Sequence, residues 1–314
     1  VNFEAQMINL SKRREFFLAM MAAPGVLALS GCAEDSQGMW DYVRAQPDLT
    51  ILTQAIQAAG LTEAVASSPR TLFAPTDTAF QALLSELGIS AQALLSDTAL
   101  LQSVLAYHLI GQAQTQSSWV SGKAIEPVGG GFFKLVTGNP VTITDGRNRL
   151  ARSTQLDVPL SNGVLHRIDQ VLLPANRTIV ATAQATAQTS TLVTAIQAAG
   201  LVPTLSAAGP FTVFAPVNSA FDALLVELGI TLNALLADTA LLTKVLTYHV
   251  VGARVLQADI VPNQGVTSAQ GQTFLINAGF QITDARQRAI AITATDTLAS
   301  NGVIHLVDRV LLPV

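Results

Sequence analysis

The strongest constraint on this chain is that it repeats itself over a long period. Ala55-Ile56-Gln57-Ala58-Ala59-Gly60-Leu61 returns unchanged as Ala195-Ile196-Gln197-Ala198-Ala199-Gly200-Leu201, 140 positions later. Phe73-Ala74-Pro75 returns as Phe214-Ala215-Pro216, Tyr107-His108 as Tyr248-His249, and Asn162-Gly163-Val164-Leu165-His166 as Asn301-Gly302-Val303-Ile304-His305, at offsets between 139 and 141. Solenoids repeat every roughly 20–50 residues, so this period, with its landmarks in one order, describes two complete domains. Where the copies differ, the difference separates what the fold demands from what it tolerates.

The landmarks carry a family resemblance. Leu72 through Phe80, then Tyr107-His108, then Asn162 through Asp169 closing on Val171-Leu172-Leu173-Pro174, resembles a fasciclin (FAS1) domain; Val213 to Phe221, Tyr248-His249 and Asn301 to Pro313 match a second time. The resemblance covers the chain from about Gly38 to its last residue. It implies an α+β fold of two FAS1 domains, each a compact β-sandwich with helices packed around it. It also implies adhesion and extracellular binding, with no shared catalytic activity. Tyr107-His108 and Tyr248-His249 are the family's tyrosine-histidine motif, linked in some animal members to integrin contact, and this makes the four residues candidate binding positions.

The N-terminus reads as an export signal. Lys12-Arg13-Arg14 precedes an apolar run from Phe16 to Leu29, the charged and apolar regions of a leader, with Met7 as the expected start. Leu29-Ser30-Gly31-Cys32 resembles a bacterial lipobox, and Cys32 is the only cysteine in the chain, so it has no disulfide role. Cys32 is therefore the expected lipid-attachment site. Arg13-Arg14-Glu15-Phe16-Phe17 also resembles a twin-arginine signal, which leaves the export route open. Ala33 stands where an Asp would favour inner-membrane retention, so the expected address is the outer membrane, on its periplasmic or surface face. The expected division is a leader at 1–31, a tether at 32–37, domain one at 38–174, a linker at 175–177 and domain two at 178–314. A joint as short as Ala175-Asn176-Arg177 restricts two domains to few relative orientations.

Half of the 314 residues are hydrophobic. Past the leader, however, no segment approaches the roughly 20 apolar residues of a membrane span, and contact with the membrane is expected through the lipid only. Removing residues 1–31 leaves 14 Lys and Arg against 19 Asp and Glu, with no basic excess to track a phosphate backbone, so nucleic acid is excluded as a partner.

Each copy reads as helices followed by strands. Gly60 stands at the left-handed position that ends a helix. Thr76 becomes Val217 while Asp77 becomes Asn218, which predicts Asp77 and Asn218 as helix N-caps; by the same comparison Asp97 and Asp238 cap the next helix. Val141 to Thr144 alternates as a strand and runs into Asp145-Gly146, a tight-turn pair, whereas Asp284-Ala285 predicts a different turn in copy two. The closing strands place Val164, His166 and Ile168, and Val303, His305 and Val307, on one face.

All four histidines lie in the repeated motifs, two per domain and without a cysteine partner. That is short of the three or four ligands a zinc site needs, so they read as buried, hydrogen-bonded structural groups and no metal or cofactor is expected. No Gly-x-Ser-x-Gly elbow or phosphate loop occurs, so no enzyme is expected. Arg147 and Arg149 alternate as on one strand face, repeated by Arg286 and Arg288, and are candidates to grip acidic polysaccharide or lipid headgroups. Trp119 is replaced by Ile260, which suggests a shared apolar slot over a sugar platform. The leading expectation is adhesion to a cell-surface or matrix component, polysaccharide or protein. The alternative is carriage of a small apolar ligand, a lipid or pigment, between helices and sandwich or between the domains.

Overall fold

The computed structural model describes residues 37–67 and 69–314; the leader, Cys32 and most of the tether lie outside them. Domain one runs through helices α1 (Met39–Ala45), α2 (Thr50–Ala58), α3 (Thr62–Ala66), α4 (Asp77–Leu87), α5 (Ala91–Ser96) and α6 (Thr98–Tyr107). Its strands are β1 (Arg70–Pro75), β2 (Leu109–Ile110), β3 (Ala124–Ile125), β4 (Phe133–Val136), β5 (Thr142–Thr144), β6 (Leu150–Leu160) and β7 (Gly163–Ile168). Domain two repeats the plan with α7 (Ile179–Gln184), α8 (Ser190–Ala198), α9 (Val202–Ser206), α10 (Asn218–Leu228), α11 (Leu232–Ala237) and α12 (Thr239–Tyr248). Its strands are β8 (Phe211–Pro216), β9 (Val250–Val251), β10 (Gly265–Thr267), β11 (Thr273–Ile276), β12 (Gln281–Thr283), β13 (Ala289–Ala299) and β14 (Gly302–Val307).

The strands of each domain form one seven-stranded sheet, ordered β2-β1-β7-β6-β5-β4-β3 in the first and β9-β8-β14-β13-β12-β11-β10 in the second. Only β1 with β7, and β8 with β14, run parallel. The long β6 pairs with β5 over its first residues and with β7 over its last, with register shifts between Ser153 and Val158. Bulges bend and twist a strand, so the two halves of the sheet fold toward each other as the layers of the expected sandwich. Between them lies a core of the aromatic residues Phe73, Tyr107, Trp119 and Phe133 with Ile168. The outer face of β1 and β7 carries Leu72, Ala74 and Leu165 into a second core with the helices, where Leu52, Ile56, Phe80 and Leu105 pack. Trp119 stacks on Phe73 with centroids 5.9 Å apart, and Ile260 packs against the corresponding core of domain two, so the two share an apolar slot.

Several local expectations hold. Gly60 and Gly200 take φ of 68° and 66° as helix terminators, and Asp97 and Asp238 accept from Leu100 N and Leu241 N. Two expectations need correcting. Asp77 and Asn218 are the first helical residues of α4 and α10, whose N-caps are Thr76 and Val217. Their side chains serve a neighbouring helix: Asp77 Oδ1 accepts from Ile51 N at 2.8 Å and Asn218 Oδ1 from Thr191 N at 3.0 Å, at the N-termini of α2 and α8. The β5–β6 and β12–β13 turns are also alike. Asn148 N donates to Asp145 O and Gln287 N to Asp284 O, with φ of 63° and 61° at Asn148 and Gln287. Gly146 therefore serves packing: a Cβ there would fall 2.2 Å from Ala175 N.

Among the described residues the two domains form one compact unit. Phe132 of domain one is buried with Leu256, Leu298 and Val303 of domain two, and the Arg254 guanidinium lies 4.5 Å over the Phe132 ring. Around this apolar centre, Asn148 exchanges two hydrogen bonds with the backbone of Leu298, at 2.9 and 2.7 Å. Lys134 Nζ meets Asp296 Oδ2 at 3.0 Å, Lys123 meets Asp259 at 2.6 Å, and Arg254 meets Glu126 at 2.5 Å.

Candidate functional site

The tyrosine-histidine motif ends α6 and α12, and it faces inward. Tyr107, His108, Tyr248 and His249 are each at most 1 % exposed. Tyr107 donates its hydroxyl proton to Phe132 O, and Tyr248 to Thr273 O at 3.0 Å. His108 Nδ1 donates to Val104 O at 2.7 Å while Nε2 accepts from Leu172 N at 2.9 Å, which fixes the neutral Nδ1–H tautomer. His249 repeats this with Val245 O and Leu311 N. Burial pushes both rings down to about 4. As placed, these side chains meet no partner at the surface; they tie the end of a helix to the segment that follows the closing strand.

His166 and His305 are enclosed as well. His166 Nδ1 accepts from Asp157 N at 3.1 Å and Nε2 donates to Gln114 O at 3.0 Å, clamping the β6 bulge to the loop after β2. His305 does the same with Asp296 N and Val255 O. Burial lowers both pKa values, against the partial support of the Gln114 and Val255 carbonyls. Among the described residues no three His, Cys, Asp or Glu side chains converge as a metal site would require.

The arginines lie in the β5–β6 and β12–β13 turns, which corrects the strand-face expectation. Asp145 is the centre of the first turn. Its Oδ1 accepts from Arg147 N and Arg149 N at 2.9 Å, and its Oδ2 from Leu173 N at 3.0 Å and from Arg149 Nε and Nη2 at 3.0 and 2.9 Å. Arg149 also bonds Glu86 and Val171 O. Asp284 and Arg288 reproduce the arrangement, with Glu227 and Val310 O as the outer partners. Arg149 and Arg288 thus have their donors directed to internal acceptors. Arg286 Nε donates to Pro313 O at 3.2 Å. Arg147 differs, for its Nε is shielded from solvent and has no partner among the described residues.

Concave surface is modest. Clefts of about 480 and 410 Å³ lie beside Asn218 and Thr293, and between Glu126, Phe132 and Asn301. An apolar cavity of about 170 Å³ lies under α4, α5 and α6. The sequence reasoning missed the residues of the domain seam. Their signal was present in the copies: Lys134 and Phe132 stand where domain two has Leu275 and Thr273. A residue that only one domain needs marks contact specific to that domain.

The family described as "Fasciclin domain" matches residues 47–174 and 187–313. The chain belongs to the fasciclin family and carries two of its domains. It is 40% identical over 149 residues to "Protein sll1483" of Synechocystis sp., covering 46% of this chain and 79% of that one. It is 28% identical over 249 residues to "Transforming growth factor-beta-induced protein ig-h3" of Sus scrofa, covering 77% of this chain and 34% of the relative. Among solved structures it is similar to the FAS1 domain pair from the insect cell adhesion molecule Fasciclin I, at 17% identity and a TM-score of 0.42, over 88% of this chain and 97% of the other.

Proposed function

We propose that this protein is an exported adhesion protein, lipid-anchored through Cys32 to the outer membrane, whose two fasciclin domains bind a cell-surface or matrix component together. The observation that carries the reading is the seam: two domains of a family associated with adhesion are held in one orientation by Phe132, Asn148 and Lys134. Two weak contacts on one rigid body act at an effective concentration that neither has alone. Cys32, in its lipobox context, supports the anchor. The tyrosine-histidine motif contributes as scaffold, leaving contact to exposed surface. Carriage of a pigment or diacyl lipid has less support, because the apolar cavity of about 170 Å³ is small for such a cargo.

The test is complementation of a deletion strain with the full chain, with either domain deleted, and with Cys32→Ala. Full-length protein restores surface attachment and partitions into the detergent phase. Loss of either domain reduces attachment far more than twofold, since joint binding multiplies contributions, and Cys32→Ala moves the protein to the aqueous phase. Unimpaired attachment in the deletion strain would overturn adhesion, and aqueous partitioning of the wild type would overturn the anchor.

A further inference from the structure

The cavity of domain one poses a separate question. Phe80, Leu83, Leu94, Leu101, Val104 and Leu105 supply most of its wall, and Arg147 of the β5–β6 turn is its one polar lining residue. A guanidinium N–H shielded from water without an acceptor has given up its hydrogen bond to solvent for nothing, which is destabilising. Domain two avoids that cost, since Arg286 Nε reaches Pro313 O. The side chain of Asp145, two residues before Arg147, is committed elsewhere, since it and Glu86 both bond the guanidinium of Arg149. Domain one therefore combines an apolar cavity with a cation whose Nε has no hydrogen-bond partner among the described residues.

We propose that this cavity binds a small carboxylate with an apolar body, a medium-chain fatty acid of roughly eight carbons or an aromatic acid of similar size. Its body lies among Leu83, Leu94, Leu101 and Leu105, and its carboxylate accepts from Arg147. Size sets the scale: a cavity of about 150 Å³ lined by Leu, Ile and Phe binds benzene, and this one measures about 170 Å³. Charge sets the class, because a guanidinium forms short, charge-assisted bonds with a carboxylate that an alcohol cannot match. The proposal stands independently of the adhesion reading, which concerns exposed surface and the joint action of both domains.

Titration of the full-length protein with octanoate and with 1-octanol, followed through the leucine methyl resonances, tests it. Octanoate is expected to shift the Leu83, Leu94, Leu101 and Leu105 methyls saturably at one equivalent, and to bind more tightly than octanol. Arg147→Gln weakens octanoate about tenfold or more and leaves octanol unchanged. Val104→Phe, which fills the cavity, removes both while the remaining methyl spectrum reports an intact fold. The proposal is overturned if octanoate leaves these methyls unmoved, if Arg147→Gln binds it as the wild type does, or if octanol binds as tightly. Equal shifts at Leu224, Leu235 and Leu242 of domain two would also overturn it, because there the arginine is already engaged.

Discussion

A histidine inside a protein is stable only if both ring nitrogens find partners and the ring stays neutral. All four histidines meet that condition, each with one nitrogen donating to a backbone carbonyl and the other accepting from a backbone N–H. Their pKa values are lowered by burial, to about 4 for His108 and His249. Between the unfolded value near 6.5 and the folded one, the unfolded chain binds more protons than the native one, so stability rises with pH across that window. The contribution is whole above pH ~6.5 and is lost on acidification to about pH 4, on the order of 3 kcal/mol for each of these two rings. Urea titrations at a series of pH values should show this decline, and a His108→Gln/His249→Gln variant should show a shallower one. An equal slope in the variant would assign the acid sensitivity to other groups. The sequence already pointed to buried, hydrogen-bonded histidines among Val and Ile. It left the partners open because they are backbone groups, which carry no residue signature.

At the scale of elements, the repeat offers a matched pair at the start of α4 and α10. Thr76 caps α4 through Oγ1, accepting from Ala79 N at 3.3 Å; Val217 stands at the same backbone angles, φ −71° and ψ 164° against −72° and 166°, without a side-chain acceptor, and its carbonyl takes the Ala220 N–H at 2.9 Å instead. Val217→Thr exchanges that bond for a side-chain cap and should therefore raise the stability of domain two by no more than about 0.5 kcal/mol in denaturant titration, less a small loss of methyl packing. A lower midpoint would show that the methyl contact outweighs the cap. The same pair explains a limit of the sequence. Comparing copies reveals that an acceptor is retained at Asp77 and Asn218, but the N–H it serves is 26 or 27 positions away. Asp97 and Asp238 were legible because they bond within their own turn. The closing strands were legible from periodicity, but the helix-then-strand order was not complete: β1 and β8 interrupt the helical half between α3 and α4 and between α9 and α10, as short strands, buried after their first residue, that lack the period-two alternation. Asp145 was read as a turn residue, and its second role, receiving Leu173 N, depends on a segment 28 residues later.

The whole molecule adds an asymmetry that two similar domains would not have by themselves. A contact between equivalent domains that uses different faces is heterologous, and if both domains kept both faces it would propagate from molecule to molecule. Here Leu275 replaces Lys134 and Thr273 replaces Phe132, so domain two lacks these features of the face that domain one presents. Its polar centre is Lys134 against Asp296, whose side chain is only 2% exposed and whose Oδ1 also accepts from Gln257 N at 2.7 Å. In domain one the corresponding Asp157 is 40% exposed. Lys134→Ala leaves a buried carboxylate without its cation, a loss of about 3–5 kcal/mol. It is expected to separate the unfolding of the two domains in denaturant and to lower surface attachment while each domain remains folded. Asp296→Asn keeps an acceptor for Gln257 N and tolerates the φ of 60° at that position, so it removes the charge alone. Adding it to Lys134→Ala should recover most of the loss, with a coupling energy between the two sites above about 0.5 kcal/mol in a double-mutant cycle. Additive losses would mean that Phe132 and Asn148 hold the seam without the ion pair. Normal attachment by a Lys134→Ala protein whose domains unfold separately would show that binding does not depend on their fixed orientation.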